Sequence, residues 1–92
     1  MRVIDFAVVM QDKIDENEET KVGWYGLTPK WCLNRARQEM QEVVTAIAKR
    51  KKPDEVAREC ADVANFMMMV ADNYREEFEE KAETAREKEP RT

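Results

Sequence analysis

The sequence contains no histidine, and this absence narrows the metal chemistry that the chain can support. Histidine is the commonest protein ligand for zinc and several redox metals, and di-iron helical bundles typically use a Glu-x-x-His pair. A ferritin-like di-iron bundle is therefore set aside. Any metal would have to be held by oxygen ligands, which suit hard cations such as Mg²⁺ or Mn²⁺.

The chain also has little glycine, proline and cysteine. Two glycines and three prolines in 92 residues, beside abundant Ala, Glu, Lys, Arg, Met and Gln, favour helix over strand. The lone cysteines Cys32 and Cys60 do not form a disulfide framework, and we expect both to be reduced apolar residues. We predict one all-α domain over residues 1–88, with a frayed C-terminus at 89–92.

Long apolar runs and a basic charge balance are missing as well. No stretch approaches the roughly 20 apolar residues that span a bilayer, and no signal peptide is visible. The net charge of −4 disfavours general binding to nucleic-acid backbone. We expect a cytoplasmic protein with neither a membrane nor a nucleic-acid partner. A chain of this size is marginal as a monomer, so we also expect a homodimer or homotetramer.

Apolar residues recur at helical spacing in three segments. The first spans about residues 2–16. The second begins at Thr28-Pro29, a hydroxyl N-cap followed by proline, and runs to about residue 49. The third begins at Pro53, with acidic residues in its first turn. Beyond Tyr74 the sequence is mostly charged, and it either extends the third helix or bends into a fourth. The architecture is thus a helical hairpin with an N-terminal helix and a C-terminal extension, which oligomerisation would complete into a four-helix-bundle-like assembly.

The spacing also predicts which helix faces are buried. For the second helix, the expected apolar stripe is Leu33, Ala36, Met40, Val43, Val44 and Ile47. For the third helix, it is Val56, Cys60, Val63, Ala64, Met67, Val70 and Ala71. We expect all three consecutive methionines, Met67, Met68 and Met69, in the core or at a dimer contact, with Met69 nearest the acids described next.

The sequence contains two carboxylate pairs, Glu39 with Glu42 and Glu59 with Asp62. The two pairs are related by mirror symmetry about the midpoint between residues 50 and 51. If the chain reverses there, acid faces acid across the hairpin, and each pair borders its helix's apolar stripe. Two carboxylates about 5 Å apart repel by roughly 3 kcal/mol at an effective dielectric constant near 20. A single acid pair is usually only a solvated helix face, but this facing arrangement predicts a cation site.

The two pairs form the motifs Glu39-x-x-Glu42 and, after residues 43–58, Glu59-x-x-Asp62. This spacing resembles the ExxE…ExxD signature of the MazG-like family of all-α nucleoside triphosphate pyrophosphohydrolases. The run from Ala61 to Phe66 is similar to the family's third helix, and Lys21-Val22-Gly23-Trp24 is similar to a Lys-Gly-Gly-Trp segment of some small members. One departure is Gln38, because many members have a further glutamate at this position.

The resemblance implies hydrolysis of a (d)NTP between the α and β phosphates, releasing a (d)NMP and pyrophosphate, in a house-cleaning role. Glu39, Glu42, Glu59 and Asp62 would hold Mg²⁺, with Mn²⁺ as a possible substitute. One glutamate would activate the attacking water. These four residues are the predicted catalytic and metal-binding set.

Other residues are candidates for binding the substrate. Arg35 is favoured over Lys30 and residues 49–52 as a phosphate contact, although a solvated charge remains the alternative for each. Trp24, Tyr25 and Trp31 either stack on a base or pack a loop against the core. The remaining candidates, which lie on or near the acidic face, are Asn65, Phe66 and Asn73.

Two alternative functions stay open. A hydrolase of the same superfamily that acts on phosphoribosyl-ATP or dUTP would share the motif. A non-enzymatic helical interaction or scaffold protein would use the acids to bind structural cations or a basic partner. Such a protein would release no pyrophosphate.

Overall fold

The computed structural model describes residues 1–17, 23–24 and 26–87, and these form three helices: α1 (Val3–Glu16), α2 (Pro29–Ala48) and α3 (Pro53–Glu87). No strand occurs in these ranges, so the all-α prediction is confirmed. The charged segment beyond residue 74 continues α3 as one helix of 35 residues. The predicted frayed end, 89–92, lies outside the described residues. No helix in the described ranges is long and apolar enough to cross a membrane.

The start of α2 follows from its sequence. The Thr28 hydroxyl accepts a hydrogen bond from the backbone N–H of Trp31 at 3.1 Å, and Pro29 occupies the first helical position. Proline is tolerated there because its missing N–H would have no partner within the helix. The predicted capping signal is therefore present in the structure.

The reversal between α2 and α3 is a tight helix C-terminal motif. The backbone N–H of Lys51 donates to the carbonyl of Ala46, and that of Arg50 donates to the carbonyl of Ile47, both at 3.0 Å. This pair of bonds needs a left-handed residue, and Arg50 takes that role with φ of 53°. The chain thus reverses where the symmetry of the acids predicts.

Helix α3 is the common platform of the fold, because α1 and α2 each pack against it. A small core cluster joins α2 to α3 through Cys32, Ala36, Phe66 and Met69. On the other side, the Asn65 amide donates to the backbone carbonyl of Met10 in α1 at 3.0 Å. Both flanking helices therefore contact the same segment of α3, around residues 65–69.

The predicted apolar stripes are wrong in part for a single chain, although most of their residues are at least partly buried. Met40, Val44 and Ile47 are each more than half exposed, and Met67 is also exposed. The buried face of α3 carries instead Ala61, Asn65, Phe66, Met69 and Asn73. The sequence pattern identifies the apolar residues of each helix but not which of them a neighbouring helix covers. A prediction from hydrophobicity therefore places the more apolar face of each helix in the core, even where that face is exposed.

Candidate functional site

Three acids from two helices converge at the middle of the hairpin. Glu39 lies on α2, while Glu59 and Asp62 lie one turn apart on α3. One carboxylate oxygen from each lies within 4.8 Å of the others, and all three residues are half-buried. We refer to these three residues as the acid cluster. Their approach follows from the turn, which sets the register of α2 against α3.

Glu42, the fourth predicted acid, lies beside this cluster rather than in it. It is exposed, and it lines a side cleft of about 220 Å³ together with Glu59. Lys49 and Lys51, from the basic turn, line the same cleft. The structure therefore brings three of the four predicted acids together and leaves the fourth on the rim.

Two basic side chains flank the acid cluster from opposite sides. The Lys13 ammonium lies 3.4 Å from the Asp62 carboxylate, and the Arg35 guanidinium lies 3.2 Å from the Glu39 carboxylate. These four residues line a main cleft of about 310 Å³, together with Glu16, Asn17 and Phe66. The cleft thus alternates cationic and anionic groups along its walls.

Lys13 was not identified from the sequence. It precedes Ile14, the buried residue of α1, so the apolar spacing of α1 carries a weak signal that Lys13 lies near the packed face. Nothing in the sequence states which part of α3 that face covers. Arg58 strengthens the same contact from α3 by pairing with Glu16 near the end of α1.

The position of the Glu39 carboxylate is electrostatically unfavourable. Burial raises the pKa of Glu39, and the nearby negative charge of Asp62 raises it further. Arg35 opposes this shift, while Glu59 and Glu42 add smaller increases. The protein therefore holds a carboxylate where its charged form is disfavoured, as expected when like charges are placed for a ligand rather than for stability.

Aromatic rings form one wall beside Arg35. Phe66 is buried, and its ring meets that of Trp31 edge-to-face at a centroid distance of 6.2 Å. The Arg35 guanidinium carbon lies 5.2 Å from the Phe66 ring centroid. Arg35 is thus held between an aromatic ring and the Glu39 carboxylate, which restricts its position at the cleft.

Trp24 and Asn73, both predicted to bind substrate, serve in this structure to attach the loop before α2 to α3. The Trp24 indole donates to Asp72 at 3.0 Å, and the Asn73 amide donates to the carbonyl of Leu27 at 2.6 Å. Neither residue lines the main cleft. Tyr25, the other aromatic of this loop, lies outside the described residues.

Asn65 is brought close to the acid cluster and has one unusual feature. Its carbonyl oxygen is buried and receives no hydrogen bond from the described part of the chain. An unsatisfied buried acceptor typically costs about 1–3 kcal/mol. Such groups are uncommon in folded proteins and call for a specific explanation.

Comparison of the chain with models of known families, with curated protein sequences and with solved structures returned no significant match.

Proposed function

We propose that this protein is a Mg²⁺-dependent nucleoside triphosphate pyrophosphohydrolase that cleaves (d)NTPs to (d)NMPs and pyrophosphate, in keeping with a house-cleaning role. The main support is the convergence of three carboxylates from two helices, two of which, Glu39 and Asp62, line a cleft that also carries Lys13 and Arg35. A metal–polyphosphate complex presents cations and anions in close alternation, and a cleft with both kinds of side chain is complementary to it.

The donor set of the acid cluster fits a hard cation. Glu39, Glu59 and Asp62 offer only oxygen ligands, and Mg²⁺ is usually bound by a few carboxylates together with substrate phosphates. Glu42 lies on the rim, outside this set of ligands. When bound, Mg²⁺ neutralises phosphate charge and makes water more acidic.

The chain's own groups complete the reaction. Water attacks a phosphorus atom of the α–β linkage, and the bond to the bridging oxygen breaks. One carboxylate of the cluster accepts the water proton. Lys13 and Arg35 are placed to contact phosphate oxygens from the two sides of the cleft. Phe66, which lines the cleft and is packed by Trp31 from behind the lining, offers an apolar surface for the sugar or base.

A panel of ribo- and deoxyribonucleoside triphosphates tests this proposal, with phosphoribosyl-ATP and dUTP included. We expect Mg²⁺-dependent release of pyrophosphate, without orthophosphate, from at least one of the common triphosphates. Turnover of phosphoribosyl-ATP or dUTP alone would move the assignment to a specialised hydrolase. Absence of turnover across the whole panel would reject the enzymatic proposal in favour of a cation-binding scaffold.

We further propose that the protein acts as a homodimer or homotetramer. A compact monomer of 10.8 kDa exposes about 5,500 Å², whereas this chain exposes 7487 Å². The excess is comparable with the area that each partner loses in a large dimer interface. Apolar side chains that a second copy can cover are available on the outer face of the hairpin at Met40, Val44, Ile47 and Met67.

Sedimentation or light scattering tests the assembly. We expect the mass of a dimer or tetramer at micromolar concentration, and we expect Val44→Lys to shift the protein towards monomer because a buried ammonium opposes association. A wild-type protein that stays monomeric at high concentration would contradict this part of the proposal.

A further inference from the structure

The orientation of the Asn65 side chain is fixed by a neighbouring helix. Asn65 is 5 % exposed, and its amide nitrogen donates to the Met10 carbonyl in α1 at 3.0 Å. Because two carbonyl oxygens cannot hydrogen-bond to each other, this contact identifies which end of the amide faces α1. The side-chain oxygen must therefore point elsewhere, and no group in the described ranges donates to it.

Asn65 also lines a small cavity of about 20 Å³. Lys13, Asn17, Asp62 and Phe66 line both this cavity and the main cleft, so the cavity is an inner extension of that cleft. Its volume suffices for a single water-sized group, such as an amino or hydroxyl group, and excludes a whole ring. A small group that enters from the cleft would lie next to the Asn65 side chain.

The polar groups of the cavity restrict the chemistry of that group. A phosphate oxygen would face the Asn65 carbonyl and the Asp62 carboxylate, both of which are acceptors. A cation inside the cavity would lie next to the Lys13 ammonium, which lines it, and like charges repel. A neutral N–H or O–H group is therefore the best complement.

We propose that Asn65 determines substrate specificity by accepting a hydrogen bond, through its side-chain oxygen, from one neutral donor of the bound nucleotide. The inference rests on the proposed function, since it assumes that the triphosphate lies against the acid cluster one helical turn away. The donor is either a sugar hydroxyl or an N–H group on the edge of the base. A nucleotide without this donor leaves the buried oxygen unsatisfied, so it binds more weakly.

Pairs of nucleotides that differ by one donor test the proposal. The sugar pairs are a ribonucleotide with its 2′-deoxy form, and a deoxynucleotide with its 2′,3′-dideoxy form. The base pairs are dGTP with dITP, and dATP with the purine deoxyriboside triphosphate. For at least one pair, we expect wild type to prefer the donor-bearing nucleotide tenfold or more in kcat/KM, and Asn65→Leu to reduce that preference to within about twofold.

A second variant separates recognition from folding. Asn65→Leu also loses the bond to Met10, whereas Asn65→Asp loses that bond but keeps an acceptor oxygen. We therefore expect Asn65→Asp to retain a preference that Asn65→Leu loses. The same ratios should appear in the dissociation constants of the corresponding non-hydrolysable α,β-imido nucleotides, measured by calorimetry with Mg²⁺.

The outcomes distinguish this inference from the proposed function. If wild type hydrolyses triphosphates but discriminates within no pair, or if Asn65→Leu keeps the wild-type preference, the Asn65 inference fails alone. If wild type neither binds nor hydrolyses any nucleotide of the panel, the proposed function and the inference fail together.

Discussion

Two acidic regions of α3 look alike in the sequence but differ in the fold. Glu59 and Asp62 are separated by three positions, as are Glu76 and Glu79 further along the same helix. The first pair is half-buried and faces Glu39 across the hairpin. The helix is largely exposed around the second pair. Within the described residues, no acid of α1 or α2 forms a cluster with this pair.

The difference shows that placement, rather than acidity, defines the candidate site. Exposed carboxylates on one helix face are screened by water and salt, so their repulsion is small. At the acid cluster, burial and facing charges act together, and they raise the pKa of Glu39. A bound cation would relieve this repulsion, so we propose a cation site at the acid cluster and none around Glu76 and Glu79. The second region of α3 therefore serves as an internal control for the experiments below.

The largest expected effect is on turnover. Glu59→Gln should lower Mg²⁺-dependent pyrophosphate release by about a hundredfold or more, because the contribution of a catalytic metal is worth several kcal/mol. Glu79→Gln makes the same chemical change on the exposed part of α3, and it should leave the rate within about twofold of wild type. Steady-state assays of both variants measure the contrast. Equal losses of activity in the two variants would show that the overall negative charge of α3, and not the acid cluster, supports turnover.

Thermal stability should respond to metal at one region and not at the other. Mg²⁺ or Mn²⁺ at ten times its dissociation constant stabilises the folded state by about 1.4 kcal/mol, which raises the Tm of a domain this size by about 5–10 °C. Glu79→Gln should keep this shift and Glu59→Gln should lose most of it. Scanning calorimetry with and without metal provides the measurement, and an equal shift in both variants would contradict the assignment.

The raised pKa of Glu39 predicts a pH-dependent gain in stability. Because this pKa is higher in the folded than in the unfolded state, folding favours the protonated form, and wild type loses stability as pH rises through the folded pKa. Without metal, Glu39→Gln should be more stable than wild type near pH 7, because glutamine has no charged form for burial and Asp62 to disfavour. The gain should vanish below the ordinary glutamate pKa of 4.5.

Urea unfolding of Glu39→Gln across this pH range is the appropriate measurement, with Glu79→Gln as the exposed control. A gain that does not change with pH would indicate a cause other than the charge of Glu39.

The smallest effect concerns the turn that sets the facing register. Arg50 adopts a left-handed conformation that glycine tolerates without strain, so Arg50→Gly should raise the free energy of unfolding by about 0.5 kcal/mol. The metal-dependent Tm shift should be unchanged, since the reversal keeps its shape. Chemical unfolding measures this difference. A lower free energy of unfolding for Arg50→Gly would show that the arginine side chain stabilises the fold by more than the strained backbone conformation destabilises it.

Local signals in the sequence were sufficient for much of the fold. The Thr28-Pro29 start of α2 and the start of α3 at Pro53 depend on neighbouring residues only, and both were predicted correctly. The mirrored spacing of Glu39 and Asp62 about the turn indicated that they face each other. What was missed depends on how the helices rotate against one another. The exposed Val44 and the contact of Lys13 with Asp62 both follow from that rotation, which propensity and spacing do not determine.

The central claim is that facing carboxylates, and not the acidic composition of α3, create a cation site. The most direct test is a Mn²⁺ titration followed by electron paramagnetic resonance, which measures free metal, for wild type, Glu59→Gln and Glu79→Gln. Our account predicts that Glu79→Gln binds Mn²⁺ as wild type does, while Glu59→Gln binds at least about tenfold more weakly because it lacks one charged ligand. Equal affinity in all three proteins would contradict it.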